Sequence, residues 1–246
     1  MKEVYNSENC KGTNTYPVAF FNIPVLYLKI GKVDSAITWF RSVLNSDLKD
    51  ADKTGSLMDP HANYKHKSAF YLARIEVKKK NWKDVYSWMN KIDTIYRYWG
   101  YEGSATNVSQ SQSEILYWKT IALLEQNEKK LAEKEIIREL ICAGKLENFF
   151  TGSKDTLLYL LKTEKNYKNK FNKGLNEMKI EKKDNNNWIA SFNIDNVNLD
   201  FKISNKFPDE NLPHYWTILF IADKTEPKKE QIINEIKSRK FYKELK

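Results

Sequence analysis

The chain has 246 residues and a formal net charge of +9, with 41% apolar, 30% charged and 13% aromatic residues. This apolar content is enough to form a hydrophobic core, and it excludes a wholly disordered chain. With only 8 glycines, 6 prolines and 2 cysteines, the sequence excludes a collagen-like chain, a disulfide framework and a four-cysteine zinc site.

The positive charge is spread along the whole chain. Residues 1–153 carry 22 Lys and Arg against 18 Asp and Glu, and residues 154–246 carry 19 against 14. A nucleic-acid-binding surface concentrates its charge in a patch or stripe, so a nucleic-acid partner is disfavoured. The sizeable basic run is Lys162–Lys173, which contains Tyr167 and Phe171. This run is either a phosphate-facing helix with stacking rings or, as we favour, a solvated helix whose rings pack inward.

The first 16 residues are polar and lack the apolar segment of a signal peptide. The sequence also lacks an uninterrupted apolar stretch of about 18 residues, so we expect no membrane span. The expected location is cytoplasmic if the chain is complete, and periplasmic or secreted if a leader has been removed.

Three segments share one pattern, in which an apolar helix, a short polar turn and a second amphipathic helix follow one another. They cover about residues 18–44, 67–96 and 113–143. When the segments are aligned on their turns, a small or β-branched residue and a large apolar residue four positions later coincide: Ala36 and Phe40, Val85 and Met89, Ala132 and Ile136. The small residue lets antiparallel helices approach, and the large one fills the space between them. A single hairpin cannot bury both of its faces, so these hairpins must stack.

The first segment resembles a tetratricopeptide repeat. It has that family's tyrosine, turn glycine, alanine and phenylalanine at Tyr27, Gly31, Ala36 and Phe40. The other segments match less fully, and the sequence departs from the family in two ways. Val85 follows Ala36 by 49 residues, whereas the family period is about 34. Pro24 lies within the first helix, which it should kink or begin.

The resemblance implies a concave groove lined by the first helix of each hairpin. The aromatic residues that it places along this groove are Phe21, Phe70 and Tyr117, and the basic residues near it are Lys29, Lys67, Arg74 and Lys78. Positive charge in a groove suits an acidic segment or a chain-terminal carboxylate. The asparagines of the carboxylate-clamp subgroup are missing, which argues against that terminal ligand. The aromatic residues have an equally weighted alternative role, which is packing against the neighbouring hairpin.

The connections 45–64 and 98–112 are either paired recognition loops or, as we favour, polar connectors. The residues that suggest a metal in and beside the first connection are Asp50, Asp52, Asp59, His61 and His66. They lack the spacing of a zinc site or a calcium loop, so we expect no metal. We also expect no cofactor.

The periodicity changes to two after residue 174. Strands are predicted near Met178–Ile180, at Trp188–Ile194, at Val197–Ile203 and at Tyr215–Ala222, followed by a helix over Pro227–Leu245. Asp195 and Asn196 provide a two-residue hairpin turn. The predicted fold is therefore α+β, with a polar segment at 1–16, a tetratricopeptide-like helical domain at 17–150, a connecting helix at 151–173 and a small domain at 174–246. That small domain is a four-stranded, mostly antiparallel meander covered by the C-terminal helix.

The sequence contains no motif of a nucleophile with its activating base, and we predict that the protein is not an enzyme. Asp209, Glu210 and His214 share one loop, which we interpret as solvated. Cys142 is predicted to be a buried core thiol. The leading hypothesis is a protein- or peptide-binding module with an open groove and exposed aromatic residues. The alternatives are a toxin-neutralising or assembly-capping partner that binds through the C-terminal sheet, and an enzyme with a site between the tetratricopeptide-like helical domain and the sheet.

Overall fold

The computed structural model describes residues 15–46, 63–98, 105–142, 166–206, 218–222 and 226–245. These residues form nine helices and four strands: α1 Thr15–Lys29, α2 Val33–Leu44, α3 Tyr64–Lys78, α4 Trp82–Thr94, α5 Ala105–Glu125, α6 Lys129–Cys142, α7 Tyr167–Asn176, β1 Lys179–Lys182, β2 Asn187–Ile194, β3 Val197–Ser204, β4 Ile218–Phe220, α8 Lys229–Ser238 and α9 Lys240–Glu244. The predicted α+β class is confirmed. The chain divides into two compact units between Val108 and Ser109.

The described part of the first unit contains two stacked helical hairpins. The helices α1 and α2 pack together, as do α3 and α4, and α3 also packs against both helices of the first hairpin. Four residues at the aligned positions, Ala36, Phe40, Val85 and Met89, are each 0% exposed. The helix α1 continues through Pro24 to Lys29.

All three hairpins turn through the same backbone geometry. Gly31, Lys80 and Asn127 occupy equivalent positions and have positive φ angles of 76°, 56° and 61°. In each turn the next residue donates its N–H to the carbonyl five residues earlier, as Lys32 does to Tyr27 and Asn81 to Glu76. This is the Schellman arrangement, which satisfies carbonyls at the end of the first helix. The repeat that the sequence indicates is therefore a repeat of turn geometry in all three segments, and in the first two also of the packing between paired helices.

The second unit contains a sheet with the strand order β1-β2-β3-β4. The first two pairs are antiparallel, whereas β3 and β4 are parallel. The predicted hairpin turn at Asp195 and Asn196 is confirmed, with φ angles of 48° and 69°. The first three strands form the predicted meander, but β4 departs from it because its parallel pairing requires a crossover from β3.

One face of the sheet is covered by helices. The helix α6 packs on β3 and β4, and α7 packs on β2. The shared core includes Ile137, Ile141, Phe171, Trp188, Phe192, Leu199, Phe201, Ile236 and Phe241. On the opposite face Ser191, Asn193, Asn198 and Asp200 are exposed, which is the alternation expected of a sheet with one solvated face.

The division into units differs from the boundary expected near residue 150. The third hairpin belongs to the same unit as the sheet, because α6 has a wide apolar stripe. Ala132 and Ile136 occupy the repeat positions, and Ile136 also belongs, with Ile137, Leu140 and Ile141, to the core that contains the sheet residues. The expected connecting helix is described only from residue 166, and its α7 portion is part of this unit.

The C-terminal helical region is divided into two helices at Arg239, where the backbone is extended with φ −62° and ψ 146°. A single helix over Pro227–Leu245 was the expectation. No helix within the described ranges is long and apolar enough to cross a membrane.

The shared turn geometry predicts that glycine is favoured at two equivalent positions, so removing it at one and introducing it at the other should have opposite effects on stability. Gly31→Ala should destabilise the first unit by about 1 kcal/mol, because a Cβ there meets no atom within 4 Å and the cost comes from the left-handed backbone alone. Lys80→Gly should stabilise it by about 0.5–1 kcal/mol, because it relieves the same backbone strain. Urea unfolding of both variants measures the effects. Changes of the same sign in the free energy of unfolding for the two substitutions would contradict the equivalence of the turns.

The close approach of α7 to β2 predicts a reversal of the usual preference for alanine in a helix. A Cβ on Gly174 would lie 2.3 Å from the carbonyl oxygen of Asn193. Gly174→Ala should therefore destabilise the second unit by about 2 kcal/mol, although the same change in an open helix stabilises by about 1 kcal/mol. Chemical denaturation gives the value, and Lys173→Ala on the exposed side of α7 is the matched control. A stabilised Gly174→Ala variant would show that α7 and β2 are further apart.

Candidate functional site

The residues predicted to line the groove fall into both units. Phe21 and Lys29 lie on α1, Lys67, Phe70, Arg74 and Lys78 lie on α3, and Tyr117 lies on α5 within the second unit. The residues that the structure brings together are the four on α3.

The predicted exposed aromatic ladder is not observed on α1 and α3. Phe21 stacks on Tyr64, with ring centroids 4.7 Å apart and an interplanar angle of 22°, and it also lies near Phe40 and Tyr71. Phe70 is only 6% exposed. Phe21 fills the space between the stacked hairpins, which was the alternative role considered for it, whereas Phe70 is buried beside His66. In the second unit, the half-buried Tyr117 packs edge-on to Trp118.

Three of the predicted basic residues lie on one side of α3, and we call them the cationic face. Lys67, Arg74 and Lys78 are related by i, i+7 and i+11, a spacing that places side chains on one side of a helix. The Nζ of Lys67 lies 5.6 Å from the centroid of the Tyr64 ring. The guanidinium carbon of Arg74 lies 5.6 Å from the centroid of the Phe70 ring. Lys78 and Lys29 are exposed at the C-terminal ends of their helices.

These cation–aromatic contacts give the buried rings a second role. A cation within about 6 Å of an aromatic centroid is attracted to the face of the ring. Tyr64 and Phe70 are 7% and 6% exposed, so they are rigid supports for the charged groups above them. The sequence identified Phe70 and the cations and gave ligand contact and packing equal weight for the ring, but it did not indicate the contact between Phe70 and Arg74.

His66 is a buried part of the same helix. Its Nδ1 lies 2.7 Å from the carbonyl oxygen of Tyr96, so this nitrogen carries the proton and donates it. The rings of Phe70 and Tyr98 contact it edge-on, at 4.9 and 5.3 Å between centroids. Burial lowers the pKa of His66 to about 4; the hydrogen bond to Tyr96 opposes this shift, and the positive charges of Lys67 and Arg74 add to it.

Burial is thus the main cause of the lowered pKa of His66, and the positive charges of Lys67 and Arg74 are smaller causes. The sequence placed His66 near a loop as a candidate metal ligand, whereas it lies within the helix. Its four-residue spacing from Phe70 was the available signal that both side chains share one side of a helix.

Most of the residues considered for metal binding or acid–base chemistry lie outside the described ranges: Asp50, Asp52, Asp59, His61, Asp209, Glu210 and His214. Within those ranges, no group of three or more His, Cys, Asp or Glu side chains is arranged to hold a metal. Cys142 is buried as predicted, and burial raises the pKa of its thiol well above the usual range. This thiol therefore stays protonated at neutral pH and is a poor nucleophile.

The described part of the basic run is a solvated helix with inward rings, as favoured from the sequence. Tyr167 and Phe171 are 1% and 0% exposed, so neither ring is available for base stacking. Lys170 forms an ion pair with Asp195 at 2.6 Å. Lys168 lies 5.3 Å from the centroid of the Tyr242 ring. Lys162 and Lys165 lie outside the described residues.

A cavity of about 510 Å³ in the second unit was not predicted from the sequence. Its lining residues are Phe220, Ile221, Ala222, Gln231 and Glu235. They come from the end of β4 and from one side of α8, and only the parallel pairing of β4 brings these segments together.

The environment of His66 predicts a pH-dependent stability of the first unit. Its unfolded-state pKa of 6.5 exceeds its folded-state value of about 4, so the unfolded chain binds the proton first as the pH falls. The contribution of neutral His66 is therefore complete above pH 6.5 and is lost towards pH 4, by about 2 kcal/mol at about pH 5. Urea unfolding between pH 7.5 and 5 measures this loss.

The matched control is His66→Asn, whose amide can still donate to the Tyr96 carbonyl but does not titrate. This variant should lose less stability than the wild type over the same pH interval. Equal losses in both proteins would show that other groups cause the pH dependence.

Comparison with known proteins yields no matching family model, no matching curated protein and no matching solved structure. The tetratricopeptide-like interpretation therefore depends on the residues of the hairpins themselves.

Proposed function

We propose that the protein is a non-enzymatic binding module that holds an acidic segment of a partner protein or peptide along the cationic face of α3. The observation that carries this proposal is the support of Lys67 and Arg74 by the rings of Tyr64 and Phe70. A cation supported in this way loses less conformational freedom on binding than an unsupported lysine or arginine, so more of the electrostatic attraction contributes to affinity.

The spacing of the cations suggests the form of the ligand. Seven residues of helix separate Lys67 from Arg74, which corresponds to about 10 Å along the axis. An extended chain covers that distance in about three residues. Residues three positions apart lie on the same side of a polyproline II segment, so a segment of this conformation with acidic residues at that spacing would place one carboxylate at each cation. Lys78, one turn further along α3, extends the same positive surface.

Two buried titratable side chains are poorly suited to catalysis at neutral pH. His66 is buried and has a pKa of about 4, so it is a weak base at neutral pH. The thiol of Cys142 is buried and stays protonated. Neither group is suited to acid–base or nucleophilic chemistry at neutral pH.

The proposal predicts that reversing the two supported charges weakens binding of an acidic peptide. Fluorescence anisotropy with a fluorescein-labelled peptide of ten glutamates measures the affinity of the full chain at neutral pH and low salt. The double variant Lys67→Glu/Arg74→Glu should bind at least about 30-fold more weakly, because it replaces two attractions by two repulsions that together amount to about 2 kcal/mol.

The matched control is Lys173→Glu/Lys179→Glu, in which both substituted side chains are exposed in the second unit. It lowers the net charge by the same amount and should bind about as well as the wild type. Equal losses in the two double variants would mean that the peptide responds to overall charge, and they would contradict a site on α3. Circular dichroism of both variants confirms that the helices remain folded.

A further inference from the structure

The cavity between the end of β4 and α8 combines an apolar wall with two polar side chains, and we call it the β4–α8 cavity. Its volume of about 510 Å³ lies within the range of small-molecule and side-chain binding sites. It belongs entirely to the second unit, so it is independent of the function proposed for α3.

The polar wall comes from consecutive turns of α8. Gln231 and Glu235 are spaced i, i+4 and both line the cavity. An Nη atom of Arg239 lies 3.0 Å from one carboxylate oxygen of Glu235. The side chain of Arg239 is 11% exposed and that of Glu235 is 41% exposed. A largely buried guanidinium thus fixes a carboxylate that remains accessible to a ligand.

The apolar wall comes from the end of the sheet. Phe220 is 37% exposed, whereas the following Ile221 is 6% exposed and belongs to the core. The N–H of Ile221 donates to the carbonyl of Ser204 at 2.9 Å, so this part of the wall is anchored to β3. The lining therefore combines an aromatic residue at the end of the sheet with the amide and the carboxylate of α8.

The charged residue that lines the cavity determines the sign of the charge expected on the ligand. Glu235 is a lining residue, whereas Arg239 is mostly buried beside it. A carboxylate has about four acceptor positions, so one contact with Arg239 leaves capacity for further donors. An aromatic face together with a carboxylate is the combination that attracts an ammonium group.

We propose that the β4–α8 cavity binds an alkylammonium group. Its hydrocarbon chain would lie along Phe220 and Ala222, and its N–H groups would donate to Glu235 and Gln231. The same chemistry is found in free diamines and in lysine side chains of a partner protein. Both sources fit the cavity chemically, so the test includes one probe of each kind.

Isothermal titration of the full chain with 1,5-diaminopentane, with Nα-acetyl-lysine methylamide and with 1-pentanol tests the proposal. At least one of the two amines should bind at least about tenfold more tightly than 1-pentanol, which has the alkyl chain without the charge. Preference for the diamine indicates a free-amine site, and equal or tighter binding of the lysine derivative indicates a site for lysine side chains. Failure of both amines to bind more tightly than 1-pentanol overturns the proposal.

Two variants identify the site without breaking the ion pair between Glu235 and Arg239. Phe220→Leu removes the aromatic face but keeps an apolar side chain, and Gln231→Ala removes the amide. Each should weaken amine binding by about threefold to tenfold. Glu235→Gln should abolish it, with circular dichroism confirming that the variant is folded. The control is Lys173→Ala, because Lys173 is remote in sequence and does not line the cavity. Unchanged amine binding in both Phe220→Leu and Gln231→Ala would mean that the amine binds elsewhere, and it would contradict the proposal.

Discussion

The structure depends on one constraint, which is that an isolated helical hairpin leaves an apolar side uncovered. In the first unit α3 covers this side by packing against both α1 and α2. In the second unit the corresponding apolar side of α6 is covered by the sheet, and Ile137 and Ile141 belong to the same core as Trp188 and Phe201. The apolar side of a hairpin is thus covered in two ways, by another hairpin in the first unit and by strands in the second.

The same packing organises the candidate binding surface. Tyr64 is buried as α3 stacks on the first hairpin, Phe70 is buried beside His66, and the two rings lie near the charged groups of Lys67 and Arg74. The burial that stabilises the unit and the placement of its positive charge therefore have a common origin. His66, enclosed by Phe70 and Tyr98, is kept neutral by the same burial.

Much of the local structure could be predicted from the sequence, because it depends on short-range patterns. The equivalence of Ala36 and Val85 was readable from spacing, and the Asp195–Asn196 turn from residues that tolerate positive φ. Long-range features could not be read in this way. Helical periodicity showed that Phe70 lies on the apolar side of α3, but it contains no information on what covers that side. The parallel pairing of β4 was also hidden, because strand periodicity does not specify strand direction.

The most direct test of binding at α3 is chemical-shift mapping on the isotope-labelled full chain during titration with unlabelled deca-glutamate at low salt. The structure predicts the largest backbone and side-chain shifts at Lys67, Arg74 and Lys78, with smaller changes at exposed lysines of the second unit. Shifts of similar size at lysines throughout the chain, or a maximum in the second unit, would contradict a binding site on α3.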